Sequence, residues 1–170
     1  GPRRFSDIRA ELPGISAKVL TERLDRLEGI GVLERRKLPP PSGAQVYELT
    51  DWGRELETVM QALGRWSVRS PLHDPTLPLT PTSFLLSLRT MIDPAKVRDL
   101  RLTAIFHAGE EKLVTQLANG ELAVFRNPDV LPEPDLEFFA QSVSQFLGVF
   151  YGKKEPAECG VTVKGDALLC

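Results

Sequence analysis

Apolar side chains return every third or fourth position early in the chain, then every second position, then every third or fourth again. Phe5, Ile8 and Leu12 mark one face of a short helix, with Ser6 as its expected N-cap and Pro13-Gly14 as its end. Ser16 is placed to cap a longer helix over 17–29, and Gly31 to stop it. Two strand-like runs follow, 32–38 and 45–49, around the rigid, polar stretch Pro39-Pro40-Pro41-Ser42-Gly43-Ala44, which predicts a protruding loop. Thr50-Asp51 then caps a third helix with Leu56, Val59, Met60, Leu63 and Trp66 along one side.

The pattern breaks at SPLHDPTLPLTP. Four prolines there, Pro71, Pro75, Pro78 and Pro81, forbid regular helix or central strand and predict an extended linker over 67–81. Beyond it the rhythm is mixed. Phe84, Leu85, Leu88, Met91 and Ile92 suit an amphipathic helix ending before Asp93-Pro94. Leu100, Leu102, Ala104 and Phe106 alternate as in a half-buried strand. A second strand-like run, 112–118, leads into Asn119-Gly120 and then Glu121 to Arg126, a strong hairpin signal because both turn residues tolerate positive φ. After Pro128, Pro132 and Pro134, the aromatic-rich segment 135–151 is partly helical in period, and Gly160–Asp166 alternates as a closing strand. Residues 1–66 thus predict a mostly helical domain with a β-hairpin, and 82–170 an α+β domain of three or more strands and two helices.

Composition narrows the class. The chain has 170 residues, 42% apolar and 26% charged, ordinary for a folded protein. No apolar run reaches the roughly 20 residues of a bilayer span, and no basic-then-apolar leader opens the sequence, so no membrane association is expected. Only Cys159 and Cys170 are present, too few for a disulfide scaffold or a four-cysteine zinc site, and a reduced, cytoplasmic protein is expected. The net charge of −2 conceals a mildly basic head: residues 1–47 hold nine basic and six acidic side chains, a weak pointer to a polyanion partner.

The helix over 17–29 carries the most specific chemistry. At 100° per residue, Leu20, Leu24 and Leu27 share a narrow arc and must face inward. Lys18, Val19, Thr21 and Glu22 then lie outside that arc, offering a cation, a small apolar group, a hydroxyl and a carboxylate, the types that read base edges in a major groove. The tight Leu12-Pro13-Gly14-Ile15 turn makes the first two helices a helix-turn-helix, whose second helix enters the groove. Ser16 at that helix's N-terminus, Arg3 and Arg4 before the first helix, Arg35, Arg36 and Lys37 on the strand entering the loop, and Ser42 in the loop are candidate phosphate contacts. Spacing alone leaves a solvated charged helix face, and a wet strand edge, as open alternatives.

These residues carry a resemblance. Gly1-Pro2-Arg3-Arg4-Phe5-Ser6-Asp7-Ile8, Pro13-Gly14-Ile15-Ser16, Val19-Leu20-Thr21-Glu22-Arg23-Leu24-Asp25-Arg26-Leu27, Gly31-Val32-Leu33-Glu34-Arg35 and Tyr47-Glu48-Leu49-Thr50-Asp51-Trp52-Gly53-Arg54-Glu55-Leu56 resemble, in order and spacing, the HxlR-type winged helix-turn-helix regulators. The resemblance covers nearly all of residues 1–66. It implies a bacterial or archaeal transcription regulator, a homodimer binding paired half-sites on double-stranded DNA. In that family the opening motif is internal and follows helices that help form the dimer, which are expected to lie outside these 170 residues.

Catalytic groups are sparse in the second part. His73 and the turn-like His107-Ala108-Gly109-Glu110-Glu111 have no second ligand at metal spacing, and Gly152-Lys153-Lys154 lacks the upstream glycine of a phosphate loop. Glu110-Glu111 and Glu155–Glu158 read as solvated loops. Neither cysteine has an adjacent base. No enzyme activity, metal or cofactor is expected. Seven of the eight phenylalanines fall here, as either a compact core or the lining of an apolar cavity. Leu88, Phe106, Leu117, Phe125, Phe138, Phe146 and Phe150 are the candidate ligand contacts. The helix 83–92, the Leu102–Leu117 strands, Ala118-Asn119-Gly120-Glu121-Leu122, Pro134-Asp135-Leu136, Ser142–Gly152 and Gly160-Val161-Thr162-Val163-Lys164-Gly165-Asp166 resemble, more diffusely, a sterol carrier protein type two-like domain. That resemblance implies a tunnel for an acyl or sterol-like ligand between sheet and helices, and because the segment stops just after its last strand, the tunnel is expected to lack a closing element.

The sequence therefore predicts two domains: a winged helix-turn-helix that reads DNA, then a sterol-carrier-like α+β domain that senses a small apolar ligand or mediates dimerisation. The alternative is a lipid or acyl carrier, or a protein-contact scaffold, without DNA binding.

Overall fold

A computed structural model describes residues 1–74 and 77–165. The chain divides into two compact units, Gly1–Leu63 and the residues from Gly64 on. The expected linker and closing strand each run partly outside the described residues, at Pro75, Thr76 and Asp166, and Cys170 lies outside them as well.

The first unit contains α1 (Phe5–Ala10), α2 (Ala17–Gly29), the antiparallel strands β1 (Leu33–Lys37) and β2 (Gln45–Leu49), and the start of α3 (Asp51–Ser67). Helix α1 begins two residues earlier than its Ser6 cap predicts, with Arg4 as its N-cap. The Arg4 N–H donates to the Asp7 carboxylate at 3.2 Å, and the Ser6 hydroxyl donates to Asp7 rather than to the backbone. Helix α2 follows the expectation: Ser16 Oγ accepts from the Val19 N–H at 3.2 Å, and Gly31, at φ 79°, takes the left-handed turn that releases the chain into β1. Leu20 and Leu24 are buried with Leu33 and Tyr47, and Phe5, Ile8 and Ile15 pack around them, while Leu27 stays half in solvent. Arg3 exchanges both backbone hydrogen bonds with Tyr47, at 2.9 and 2.8 Å, which ties the residues before α1 to the edge of the hairpin.

Thr50 caps α3 and anchors it. Its hydroxyl accepts from the Gly53 N–H at 2.9 Å and donates to the Gly31 carbonyl at 2.7 Å. Gly53 is buried against Val32, where a Cβ would stand 1.9 Å from the Val32 carbonyl oxygen. Farther along α3, Trp52, Leu56, Val59, Met60 and Leu63 are exposed, Met60 by 61%.

The second unit holds α4 (Pro81–Met91), β3 (Leu102–Ala108), β4 (Glu111–Ala118), β5 (Glu121–Arg126), β6 (Leu136–Ala140), α5 (Val143–Phe150), a short 3₁₀ helix (Pro156–Cys159) and β7 (Thr162–Gly165). The sheet runs in the order β5-β4-β3-β6-β7, antiparallel except for the parallel pair β3–β6. The hairpin falls at Asn119-Gly120, with φ of 54° and 80°. Four expectations change. Leu100 precedes the strand and is exposed, and the segment 135–151 divides into β6 and α5. Glu111 belongs to β4, where Arg126 binds it in a two-pronged pair at 2.8 and 2.6 Å, so it is no solvated loop residue. His107 lies in β3, its Nε2 2.9 Å from a Glu137 carboxylate oxygen and its ring stacked on Phe139.

Strand alternation gives the sheet two unlike faces. The helix-covered face carries Ala104, Phe106, Leu113, Thr115, Leu117, Leu136 and Phe138, with α4 lying against β5 and β4 and α5 against β6. Phe84 and Phe146 are wholly buried between helices and sheet, their rings 5.6 Å apart.

Candidate functional site

On the first unit, the geometry of α2 separates buried from available groups. With Leu20 and Leu24 inward, Lys18, Val19, Thr21 and Glu22 are all exposed on the first two turns. The Lys18 and Glu22 side chains approach to 4.0 Å one turn apart, and the Thr21 hydroxyl donates to the Ala17 carbonyl at 2.9 Å, leaving its oxygen free to accept. Ser16 is exposed at the N-terminus, its hydroxyl oxygen held by the Val19 N–H.

The basic residues divide into two groups. Arg35 does not stand free on the hairpin. It bonds Glu28 through Nε at 2.7 Å and reaches Asp25 with the same guanidinium. Arg36 bonds Glu48 across the hairpin at 2.5 Å. Both are matched with carboxylates, so the charge that suggested phosphate contacts is locally neutralised. Arg4 donates to Ser42 Oγ at 3.3 Å, joining α1 to the loop between the strands. Arg3 and Lys37 are exposed and, among the described residues, pair with no carboxylate. Sequence reasoning missed Asp25 and Glu28 as partners of Arg35. Their positions on α2 are legible, but the approach of the hairpin to that side of the helix is not.

On the second unit, a cavity of about 950 Å³ opens between the sheet and the ends of α4 and α5. Of the candidate ligand contacts, Leu88, Phe106, Leu117, Phe138 and Phe150 line it. Phe125 does not: it pairs with Val114 on the opposite face of the sheet, 45% exposed, beside a shallow groove with Pro128 and Val130. Phe146 does not either, because it is wholly buried behind the wall, with its ring 5.3 Å from that of Phe106. The wall also includes Leu122, Leu136 and Val163, which period-2 alternation in β5, β6 and β7 brings to the same face. Thr115 is the one buried polar side chain in the wall, and its hydroxyl lies 3.4 Å from the Ala104 carbonyl oxygen. Tyr151 lines the cavity with its hydroxyl 2.6 Å from Ser87 Oγ, and burial raises its pKa. Lys153, Lys154 and Glu155 are exposed at the rim. Cys159 is half-buried against α5. Among the described residues, no cluster of three or more His, Cys, Asp or Glu side chains is arranged to hold a metal, and no helix is long and apolar enough to cross a membrane.

The HxlR-like helix-turn-helix family matches residues 1–72. Within that span the chain is 40% identical over 67 residues to an uncharacterized HTH-type transcriptional regulator, YvaP, of Bacillus subtilis (strain 168), covering 39% of this chain and 62% of that one. It is also 40% identical over 67 residues to the HTH-type transcriptional regulator YodB of the same organism, covering 39% and 60%. The chain thus spans less than two thirds of the length of these relatives. The solved inverting sec-alkylsulfatase Pisa1 from Pseudomonas sp. matches 53% of this chain and 15% of its own, at 20% identity and a TM-score of 0.47. The opening part of the chain is an HxlR-type helix-turn-helix domain, followed by a separate α+β domain.

Proposed function

We propose that the chain is part of a transcription regulator that reads double-stranded DNA through α2 and binds a small apolar ligand in the second unit. The observation that carries the first half is the division of α2: Leu20 and Leu24 inward, with Lys18, Val19, Thr21 and Glu22 presented together to solvent. Ser16, Arg3, Arg4, Lys37 and Ser42 supply the surrounding backbone contacts, while Arg35 and Arg36 hold the hairpin in place. The exposed apolar side of α3 supports a homodimer, because an apolar patch of that kind marks a contact surface. Two α2 helices about one DNA turn (~34 Å) apart then meet paired half-sites.

The second unit, whose sequence resembles a sterol carrier protein type two-like domain, holds an acyl or sterol-like molecule against Phe106, Phe138 and Phe150 of its cavity. A ligand there alters DNA affinity only by favouring one dimer geometry over another. The test is a titration of the full-length protein on a duplex from upstream of its own gene, at several salt concentrations, with and without a fatty acid. DNA affinity is expected to fall steeply with salt as phosphates release counterions. Salt-independent binding, or none, overturns the DNA reading, and an affinity indifferent to every acyl ligand overturns sensing. The second reading, a carrier or scaffold without DNA binding, draws on the neutralised Arg35 and Arg36 and expects a bound lipid with no operator.

A further inference from the structure

The cavity of the second unit is apolar in its depth and cationic at its rim. Lys153 and Lys154 are exposed where α5 ends, and both belong to the lining. Their backbone is fixed. The N–H groups of Tyr151 and Gly152 both donate to the Leu147 carbonyl at 3.0 Å, and the Lys154 N–H donates to the Gly148 carbonyl at 3.1 Å. Gly152 lies so close to α5 that a Cβ would stand 2.7 Å from the Gly148 carbonyl oxygen. Lys153 adopts φ 51°, a left-handed conformation that residues other than Gly, Asn, Asp and His seldom take. A lysine is therefore held where the local backbone would be better served by glycine, which is the kind of outlier that attends a functional position.

Neither ammonium pairs with a carboxylate among the described residues. Glu155, which precedes the 3₁₀ helix, is the one acidic residue of the lining, so the rim carries two cations against one anion. Below the rim, Phe138, Phe150, Leu136 and Leu117 present only hydrocarbon. An occupant that satisfies both regions has a hydrocarbon tail and a negatively charged head.

Resting on the reading of this cavity as a ligand site, we propose that its ligand is a single-tailed amphipath with an anionic head, a carboxylate or a phosphate monoester. Lys153 and Lys154 select that head over a neutral one. The tail supplies most of the affinity by leaving water. The head stays at the solvent boundary, where pairing with two ammonium groups requires no burial of charge. Two such contacts in a partly solvated setting separate anionic from neutral heads by about tenfold. A neutral sterol lacks the group these lysines recognise.

The experiment is calorimetric titration of the full-length protein, stripped of lipid, with decanoate, decyl phosphate and decan-1-ol below their aggregation limits. Three proteins are compared: the parent, the double substitution K153Q/K154Q, and Leu122→Trp, which fills the cavity from its partly exposed wall. Decanoate and decyl phosphate are expected to bind about tenfold more tightly than decan-1-ol. K153Q/K154Q brings both anions to the affinity of the alcohol and leaves the alcohol unchanged, and Leu122→Trp weakens all three. If decan-1-ol binds the parent as tightly as decanoate, or the gap survives K153Q/K154Q, the head assignment fails and the apolar-ligand reading stands. If none of the three binds, or Leu122→Trp alters none of them, the cavity reading fails and the head assignment goes with it.

Discussion

The guanidinium of Arg35 on β1 closes on Glu28 of α2, Nε to Oε2 2.7 Å, and the Arg35 backbone N–H donates to the other oxygen of the same carboxylate at 3.3 Å. Asp25 takes a second prong of the fork. One arginine thus joins the wing to the last turns of the helix proposed to read DNA, and sets the angle between them.

Arg35→Ala is accordingly expected to lower the melting temperature of the protein, with a deficit that shrinks as salt screens the exposed partners. It is not expected to change the slope of log affinity for DNA against log salt. A loss of slope would mean that Arg35 leaves Glu28 for a phosphate when DNA binds.

Lys18 and Lys37 carry the opposite expectation. Lys18 is one of the most exposed charges on α2, and Lys37 pairs with no carboxylate among the described residues. Each phosphate contact removed reduces the salt slope by about 0.9. Replacing Lys37 by alanine should weaken binding evenly across DNA sequences with that loss of slope. Replacing Glu22, on the same exposed face of α2, should instead change which sequences bind best. Electrophoretic titrations over a randomised duplex pool separate the two outcomes.

What was legible in the chain and what was not follows the reach of the forces involved. The Ser16 cap, the Leu20 and Leu24 stripe, Gly31 and the Asn119-Gly120 turn are all local: each is decided by residues within about one turn of it. The failures are non-local. The 136–140 stretch LEFFA is a strand because it pairs in parallel with β3, more than 30 residues earlier in the chain, and nothing in its own period announces that partner. Phe125, Phe138 and Phe146 are equivalent in composition. The register of the sheet puts Phe138 on the cavity and Phe125 on the far face, and the packing of α5 against the sheet puts Phe146 behind the wall. Lys153 and Lys154 read as an incomplete phosphate loop, and their position at the cavity rim emerges only when α5 is docked on the sheet.

Gly53 is a further case in which the constraint is tertiary. It sits in the first turn of α3, where alanine is ordinarily the better helix residue. Here the space for a Cβ is occupied by the Val32 carbonyl at 1.9 Å. Gly53→Ala must push α3 away from the start of β1 and stretch both Thr50 hydroxyl bonds. The expected cost is about 2–3 kcal/mol, measurable by urea denaturation, against a gain of up to about 1 kcal/mol if propensity alone ruled.

Glu111 gives the second unit an acid limit. The paired hydrogen bonds from Arg126, aided by Asn127 and opposed by partial burial, hold its carboxyl below the usual carboxylate range. A carboxyl with a lowered pKa in the folded state stabilises the fold at pH values above its unfolded pKa, about 4.3, and that contribution is lost as the pH falls through the folded value. Glu111→Gln should therefore be less stable than the parent at neutral pH, with a difference that stays constant down to about pH 5 and narrows below it. Melting curves from pH 7 to pH 3 provide the test, and a gap that widens in acid would contradict the sign.

Phe146 and Phe125 test the division between wall, core and far face. Phe146 is wholly buried, stacked near Phe84 and edge-on to Phe106, so Phe146→Ala leaves a void that the packed rings cannot close. Its expected cost is about 3–5 kcal/mol. Phe125 is 45% exposed and shares its face with Val114, away from the cavity, so Phe125→Ala should cost well under half as much. The stronger discriminator is ligand affinity. Phe125→Ala should leave decanoate binding unchanged, whereas Phe138→Leu, which trims the wall while keeping it apolar, should alter it. Were Phe125→Ala to weaken decanoate binding as much as Phe138→Leu does, the ligand would be lying on the groove beside Pro128 rather than between sheet and helices, and the cavity would be packing space only.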